Sequence, residues 1–266
     1  MSVAESTGLA DRNTMELTNG HKIAVIGGGP AGSFTAYHLL NLSQRIGLHI
    51  EVDIYEPKQF TLPGASGCNH CGGVISETLV QMLAMEGITL PPGVIMSTIS
   101  SYTLHTESGF VRVGTILQEM RIATVFRGGG PKPPTLQDIS SFDDFLLQKA
   151  CALGARHLPE RVMEIRRDGD RPQVIGKSGR TMTYDFLVGA TGIAGSATIP
   201  FEKMAIGYRP PPREASYICE FFLGSEAVET CIGHDMHIFF LNMPGITRCS
   251  SFFPLDRFFA RQAAFL

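Results

Sequence analysis

The chain has no run of about 18 apolar residues, so its sequence holds no helix that could cross a bilayer. It has no dense basic stretch either. Lysines and arginines are scattered, the close pair Arg166-Arg167 stands beside Asp168 and Asp170, and the formal net charge is −3. That leaves no electrostatic footprint for nucleic acid. Residues 1–20 lack the basic start and apolar centre of a secretory signal and carry Glu5, Asp11 and Glu16, so they read as a disordered arm. Cysteine is sparse, at Cys68, Cys71, Cys151, Cys219, Cys231 and Cys249. All but the first two are isolated in apolar or β-type surroundings, a pattern of buried thiols in a cytoplasmic protein rather than of a disulfide framework. Cys68, His70 and Cys71 amount to half a zinc site. A closed site takes four ligands and no second Cys/His pair stands nearby, so no metal is expected. Internal repeats and low-complexity tracts are also absent.

What is present suffices for a core. The 266 residues are 44% hydrophobic and 18% charged, which fits one or two domains. The most informative segment is Lys22-Ile23-Ala24-Val25-Ile26-Gly27-Gly28-Gly29-Pro30-Ala31-Gly32. An apolar strand pattern runs into a glycine turn, and apolar residues at helical spacing follow from Ala31 to Leu40. Gly27, Gly29 and Gly32 fill the G-x-G-x-x-G frame. The first allows a tight turn, the second lets a pyrophosphate approach the backbone, and the third lets the helix pack close to the strand. The helix N-terminus offers free N–H groups and the positive end of its dipole. A second strand, Ile50–Tyr55, ends in Glu56, 24 residues beyond Gly32. An acid is expected there to accept the ribose hydroxyls, and it would repel a 2′-phosphate. These features point to a bound dinucleotide.

The glycine segment resembles the first motif, G-G-G-P-A-G, of FAD-dependent oxidoreductases of the glutathione-reductase-like superfamily. Tyr184-Asp185-Phe186-Leu187-Val188-Gly189-Ala190-Thr191-Gly192 resembles their second motif, an apolar strand ending in A-T-G. The resemblance implies FAD. Gly27, Gly28, Gly29, Pro30, Ala31 and Gly32 would lie at the pyrophosphate and Glu56 at the ribose. Val162 would lie at the adenine through its backbone, with Thr191 and Gly192 further along the cofactor. The loop containing Cys71-Gly72-Gly73, with Arg127 and the later Phe142–Leu147 segment, is similar to the geranylgeranyl reductase family. That likeness implies reduction of isoprenoid C=C bonds, with Cys71 beside the flavin ring, Gly72 and Gly73 around it, and Arg127 near a phosphate or an anionic substrate. A flavin monooxygenase, a dithiol–disulfide flavoprotein using Cys68 and Cys71, and a non-catalytic dinucleotide-binding module stand as alternatives.

The expected fold is α/β. A Rossmann-type FAD-binding domain (21–98 and 136–198) is interrupted by a β-rich substrate region (99–135 and 199–266). Ser76 and Ser141 read as helix N-caps, with Gly87 and Gly154 as stops. Glu107-Ser108-Gly109 reads as a hairpin turn. Strands are expected at Val162–Arg166, Gln173–Ile175, Thr181–Thr183, Tyr217–Leu223, Ala227–Ile232, His237–Leu241 and Thr247–Phe253. The superfamily's third motif, a strand ending in Gly-Asp, has no counterpart, since Gly169-Asp170 sits in a polar turn. The β-rich region therefore reads as incomplete. The expected partner is a small apolar substrate, with NAD(P)H as a candidate electron donor, no nucleic acid, and peripheral membrane contact left open.

Overall fold

The computed structural model describes residues 16–62, 73–114, 122–126, 141–193, 195–204, 206–212, 216–243, 246–255 and 258–265. Its centre is a parallel sheet of β1 (Lys22–Ile26), β2 (Glu51–Tyr55), β8 (Arg156–Leu158) and β12 (Phe186–Gly189), in the order β12-β1-β2-β8. Ile23, Ala24, Val25, Val52 and Ile54 are fully or almost fully buried. A parallel sheet covered on both faces requires such unbroken apolar strands rather than alternating ones.

Helix α1 (Pro30–Arg45) crosses from β1 to β2. It opens with proline at N1, where a missing N–H costs nothing, and ends with Arg45 against the negative end of the dipole. Gly32, Ser33, Ala36, Tyr37 and Leu40 form its buried stripe at helical spacing. The Tyr37 hydroxyl donates to the Glu86 carbonyl at 2.7 Å, which joins α1 to the end of α2 (Glu77–Met85). Ser76 caps α2 as expected, its hydroxyl accepting from the Leu79 N–H at 3.2 Å. Helix α3 (Phe142–Ala152) packs on α1 through Phe142, Leu146, Leu147 and Ala150. Ser141 occupies its N-cap position, but its side chain accepts no capping bond, and its buried hydroxyl has no partner among the described residues.

Three further sheets surround this core. An antiparallel meander consists of β9 (Val162–Asp168), β10 (Arg171–Gly176) and β11 (Thr181–Thr183). A small sheet has β7 (Ile122–Val125) between β3 (Val74–Ser76) and β4 (Ile95–Ile99). The largest has six strands: β5 (Ser101–Thr106), β6 (Gly109–Gly114), β13 (Ser216–Phe222), β14 (Asp235–Met243), β15 (Ile246–Leu255) and β16 (Phe258–Phe265). Their order is β13-β16-β15-β14-β5-β6, and β14 runs parallel to β5 while the other pairs are antiparallel. The fold is therefore α/β with a Rossmann-type sheet and a β-rich region, as the sequence led us to expect.

Two local expectations change. The segment expected as a strand at Ala227–Ile232 is helix α5 (Ser225–Cys231). Gly224 at φ +85° turns the chain and Glu226 lies in the first helical turn, so start signals outweigh a short apolar alternation. Helix α4 (Gly195–Glu202), with Pro200 inside it, adds an element to those the sequence suggests. Near the N-terminus, Gly20 donates to the His49 carbonyl at 2.8 Å and Asn19 accepts from the His49 N–H at 2.8 Å.

Candidate functional site

The site forms where β1 ends. In the order β12-β1-β2-β8, the chain leaves β1 toward β2 on one side and meets β12 on the other. Crevices at such a reversal, at the carboxyl ends of parallel strands, are where ligands bind in open α/β sheets. Gly27 adopts φ +108°, and a Cβ there would lie 2.2 Å from the Ala190 carbonyl oxygen. The glycine turn and the Ala190-Thr191-Gly192 segment are thus in direct contact, so the two sequence motifs meet at one point. A Cβ on Gly32 would fall 1.8 Å from the Gly27 carbonyl oxygen. Close approach of helix to strand is what that glycine permits.

Gly28 has a role the motif spacing does not reveal. A Cβ there would lie 2.6 Å from Cβ of Glu56. With no side chain in the way, the Gly28 N–H donates to Glu56 Oε2 at 2.8 Å. The Lys58 N–H donates to Glu56 Oε1 at 2.8 Å. The Glu56 backbone is fixed as well, its N–H donating to Leu158 O at 3.0 Å and its carbonyl accepting from His157 Nε2 at 3.0 Å. Glu56 is only 8% exposed. A carboxylate offers about four acceptor positions, and two are filled here. The remaining two suit a pair of vicinal hydroxyls.

The donors divide cleanly. The Gly27 N–H is spent on Tyr55 O at 2.9 Å and that of Gly28 on Glu56. The Ser33 N–H closes the helix onto Gly29 O at 2.9 Å, and the Ser33 hydroxyl, fully buried, pins the Gly28 carbonyl at 2.8 Å. Pro30 has no N–H. The amides of Gly29, Ala31 and Gly32 have no acceptor among the described residues and sit at the positive end of α1. Gly29 itself has φ −66° and ψ −174°, extended backbone that any residue adopts. Its glycine is not required by conformation.

Beyond Glu56 lies an open cavity of about 870 Å³, lined by Pro57, Leu158, Arg161, Met163, Lys177 and Arg180 among others. Val162 adjoins it, but its side chain is buried in the second hydrophobic cluster with Ile165, Val174 and Tyr184. Beneath β2 a polar network holds this end of the sheet. Arg156 donates to both Asp53 oxygens at 2.8 and 2.6 Å, and the Tyr184 hydroxyl donates to Asp53 Oδ2 at 2.7 Å. The Tyr184 proton is used, so Tyr55 donates to Tyr184 across 2.7 Å. Burial raises both phenols above their ordinary value, and both stay protonated. Nothing in the sequence spacing flagged this network.

Thr191 is half-buried beside the glycine turn, and Gly192 adopts φ +66°. Gly73 is buried at φ +67°, its carbonyl accepting from the Val125 N–H at 2.7 Å. Cys71, Gly72 and Arg127 lie outside the described residues. Among those residues no group of three or more His, Cys, Asp or Glu side chains could hold a metal ion, and no helix is long and apolar enough to cross a membrane.

No family model and no curated protein matches the chain. Solved structures do match its fold. The halogenase PltM in complex with phloroglucinol and FAD superimposes with a TM-score of 0.64 at 14% identity, over 92% of this chain and 51% of that one. CtdE in complex with FAD gives 0.57 at 14% identity, over 92% and 59%. The tetracycline destructase Tet(51) gives 0.51 at 16% identity, over 94% and 57%. The chain spans between half and three-fifths of the length of these proteins and shares the fold of structures crystallised with FAD.

Proposed function

We propose that the chain holds FAD at the N-terminus of α1 and works as an FAD-dependent oxidoreductase on a small, largely apolar organic molecule. The observation that carries this reading is the Glu56 carboxylate. It is buried, already bridging the Gly28 and Lys58 amides, and two acceptor positions remain next to three unspent helix amides. That donor and acceptor set fits an adenosine diphosphate. Gly29, Ala31 and Gly32 would donate to the pyrophosphate, and Glu56 would accept from the ribose hydroxyls. The cavity beside Pro57 and Arg161 has room for the adenine, with Val162 touching it only through its backbone. Thr191 and Gly192 stand where the cofactor continues past the pyrophosphate. Flavin, when bound, supplies electron transfer, while the chain orients it and keeps water out.

The finer reading is reduction of an isoprenoid C=C bond with NAD(P)H as donor, Cys71 and the Gly72–Gly73 turn beside the ring, and Arg127 at an anionic group. It rests on the likeness of the Cys71 loop to geranylgeranyl reductases. A second reading is flavin-dependent oxygenation or halogenation. It is supported by the fold shared with a halogenase across the β-rich region as well as the Rossmann sheet. The test is a spectrum of the purified protein with FAD, then NAD(P)H consumption with an isoprenoid in the presence of halide salt, with and without oxygen. Product gaining two hydrogens without oxygen supports reduction, whereas product gaining oxygen or halide supports the second reading. A protein that binds ADP but leaves FAD free in solution overturns both and fits a non-catalytic nucleotide-binding module.

A further inference from the structure

On the six-stranded sheet, His105 of β5 and His237 of β14 meet with Nε2 and Nδ1 3.0 Å apart. Their ring centroids are 5.3 Å apart and the ring planes are inclined by 23°, so the two rings meet edge to edge. His105 also lies flat on Phe239, at 4.1 Å and 4°, and against Phe110 at 5.9 Å. The other nitrogen of His237, Nε2, is 3.2 Å from the Ile232 carbonyl oxygen. A carbonyl only accepts, so Nε2 carries the proton. In neutral His237 the Nδ1 atom is then the acceptor, and the proton between the rings belongs to His105 Nε2.

This contact admits one extra proton and no more. If His237 also takes a proton on Nδ1, it donates to His105, which must then turn an unprotonated Nε2 toward it. Two imidazolium rings would set two donors and two positive charges against each other at 3.0 Å. Among the described residues no carboxylate is placed to relieve that repulsion. On β5, Thr103 is neutral, and on β6 the neighbours are Phe110 and Arg112. The Arg112 guanidinium is bound through Nε and Nη2 to Asp235 of β14, each bond 2.8 Å, so that carboxylate is engaged. Asp235 also accepts from Ser101 and Thr103. Across on β15, the positions in register with His237 and Phe239 are 252 and 250. At the end of α5, Glu229 is turned to His234, 3.8 Å away. The His105 ring is accordingly held below its ordinary 6.5, by burial first and by His237 second.

We propose that the His105–His237 contact is a proton-operated latch that ties β14 to β5 while the pair carries at most one extra proton and releases the seam when a second arrives. The seam matters because β14 on β5 is the strand pairing that joins residues 101–114 to residues 216–265 in this sheet. The latch is independent of the dinucleotide site. The test is amide hydrogen exchange of residues 236–239 in the full chain between pH 7.5 and 5. The closed pair holds one proton fewer than the open pair. Protection factors, corrected for intrinsic exchange, should therefore fall up to about tenfold per pH unit below roughly 6.5.

His105→Gln keeps a donor toward His237 Nδ1 but binds no proton, so its protection should lose that slope. An identical slope in wild type and His105→Gln, or no slope in wild type, overturns the latch. Should the variant fail to fold, imidazole ¹⁵N NMR of the wild type decides. Neutral His237 as the Nε2–H tautomer, with one proton taken up by the pair while β14 stays protected, supports the latch. Two protons taken up with β14 still protected refutes it.

Discussion

Replacing Glu56 by alanine separates what that carboxylate does for the fold from what it does for a ligand. In the fold, the substitution strips the acceptor from two amides. The Gly28 N–H sits in a buried bond at 2.8 Å, and leaving it unsatisfied costs about 1–3 kcal/mol. The Lys58 bond is only partly buried and exchanges for water at little cost. For a chain of this size, about 2 kcal/mol corresponds to a fall in Tm of roughly 4–8 °C. On the ligand side, two hydroxyl bonds to a charged acceptor are lost, worth about 1.5–3 kcal/mol each at most. Even a total loss of about 3 kcal/mol weakens binding by roughly 150-fold. Thermal unfolding without ligand and calorimetry with FAD and ADP measure the two effects separately. Glu51→Ala on the same strand is the control, because its 3.5 Å contact with Lys22 is a half-exposed surface pair worth about 0–1 kcal/mol. The two ligands should weaken together, since both carry the same ribose. Unchanged FAD and ADP affinities in a Glu56→Ala protein with lowered Tm would show that the carboxylate is only a clamp on the glycine loop.

The glycines give a paired prediction. Gly27→Ala places a Cβ 2.2 Å from the Ala190 carbonyl oxygen at φ +108°, so it should destabilise the fold. Gly29→Val, at extended angles, should leave Tm within a few degrees of wild type yet abolish nucleotide binding, as calorimetry on both variants would show. Tyr184→Phe removes the donor to Asp53 and the acceptor for Tyr55 and should cost about 1–3 kcal/mol in denaturant unfolding. Burial raises the Asp235 pKa, but the bonds from Arg112, Ser101 and Thr103 outweigh that and hold it at about 2. Its folded value lies below the ordinary 3.8. The stability it contributes is therefore complete above about pH 4 and lost as pH falls through 2. Acid titration should show that step in wild type and not in Asp235→Asn.

The Rossmann core was legible because its signals are local. Unbroken apolar strands, a glycine turn and a capped helix each follow from a few neighbouring residues. The hairpin at Glu107–Gly109 and the meander from Val162 to Thr183 were legible for the same reason, as turn residues separate short strands. Helix α5 was read as a strand because seven residues with one buried valine leave the period ambiguous. Strand β16 carries no alternating pattern in Phe258–Phe265 and shows itself only through its pairing with β15 on one side and β13, some forty positions earlier, on the other. The site divides in the same way. Gly27, Gly32 and Glu56 follow from spacing. That Gly28 must be small because Glu56 sits beneath it, and that the Ser33 hydroxyl pins the loop, follows only from contacts across the fold. The Asp53–Arg156–Tyr184–Tyr55 network likewise spans more than a hundred residues and leaves no mark at any fixed spacing.

The central claim is that FAD lies against the three unspent amides of the α1 N-terminus. Titrating ¹⁵N-labelled protein with FAD and following the backbone amide signals of Gly29, Ala31 and Gly32 tests it directly. The account predicts that these three signals shift together, saturate at one FAD per chain, and gain protection from hydrogen exchange. FAD that binds while leaving all three unmoved, or that fails to bind to the folded chain, contradicts it.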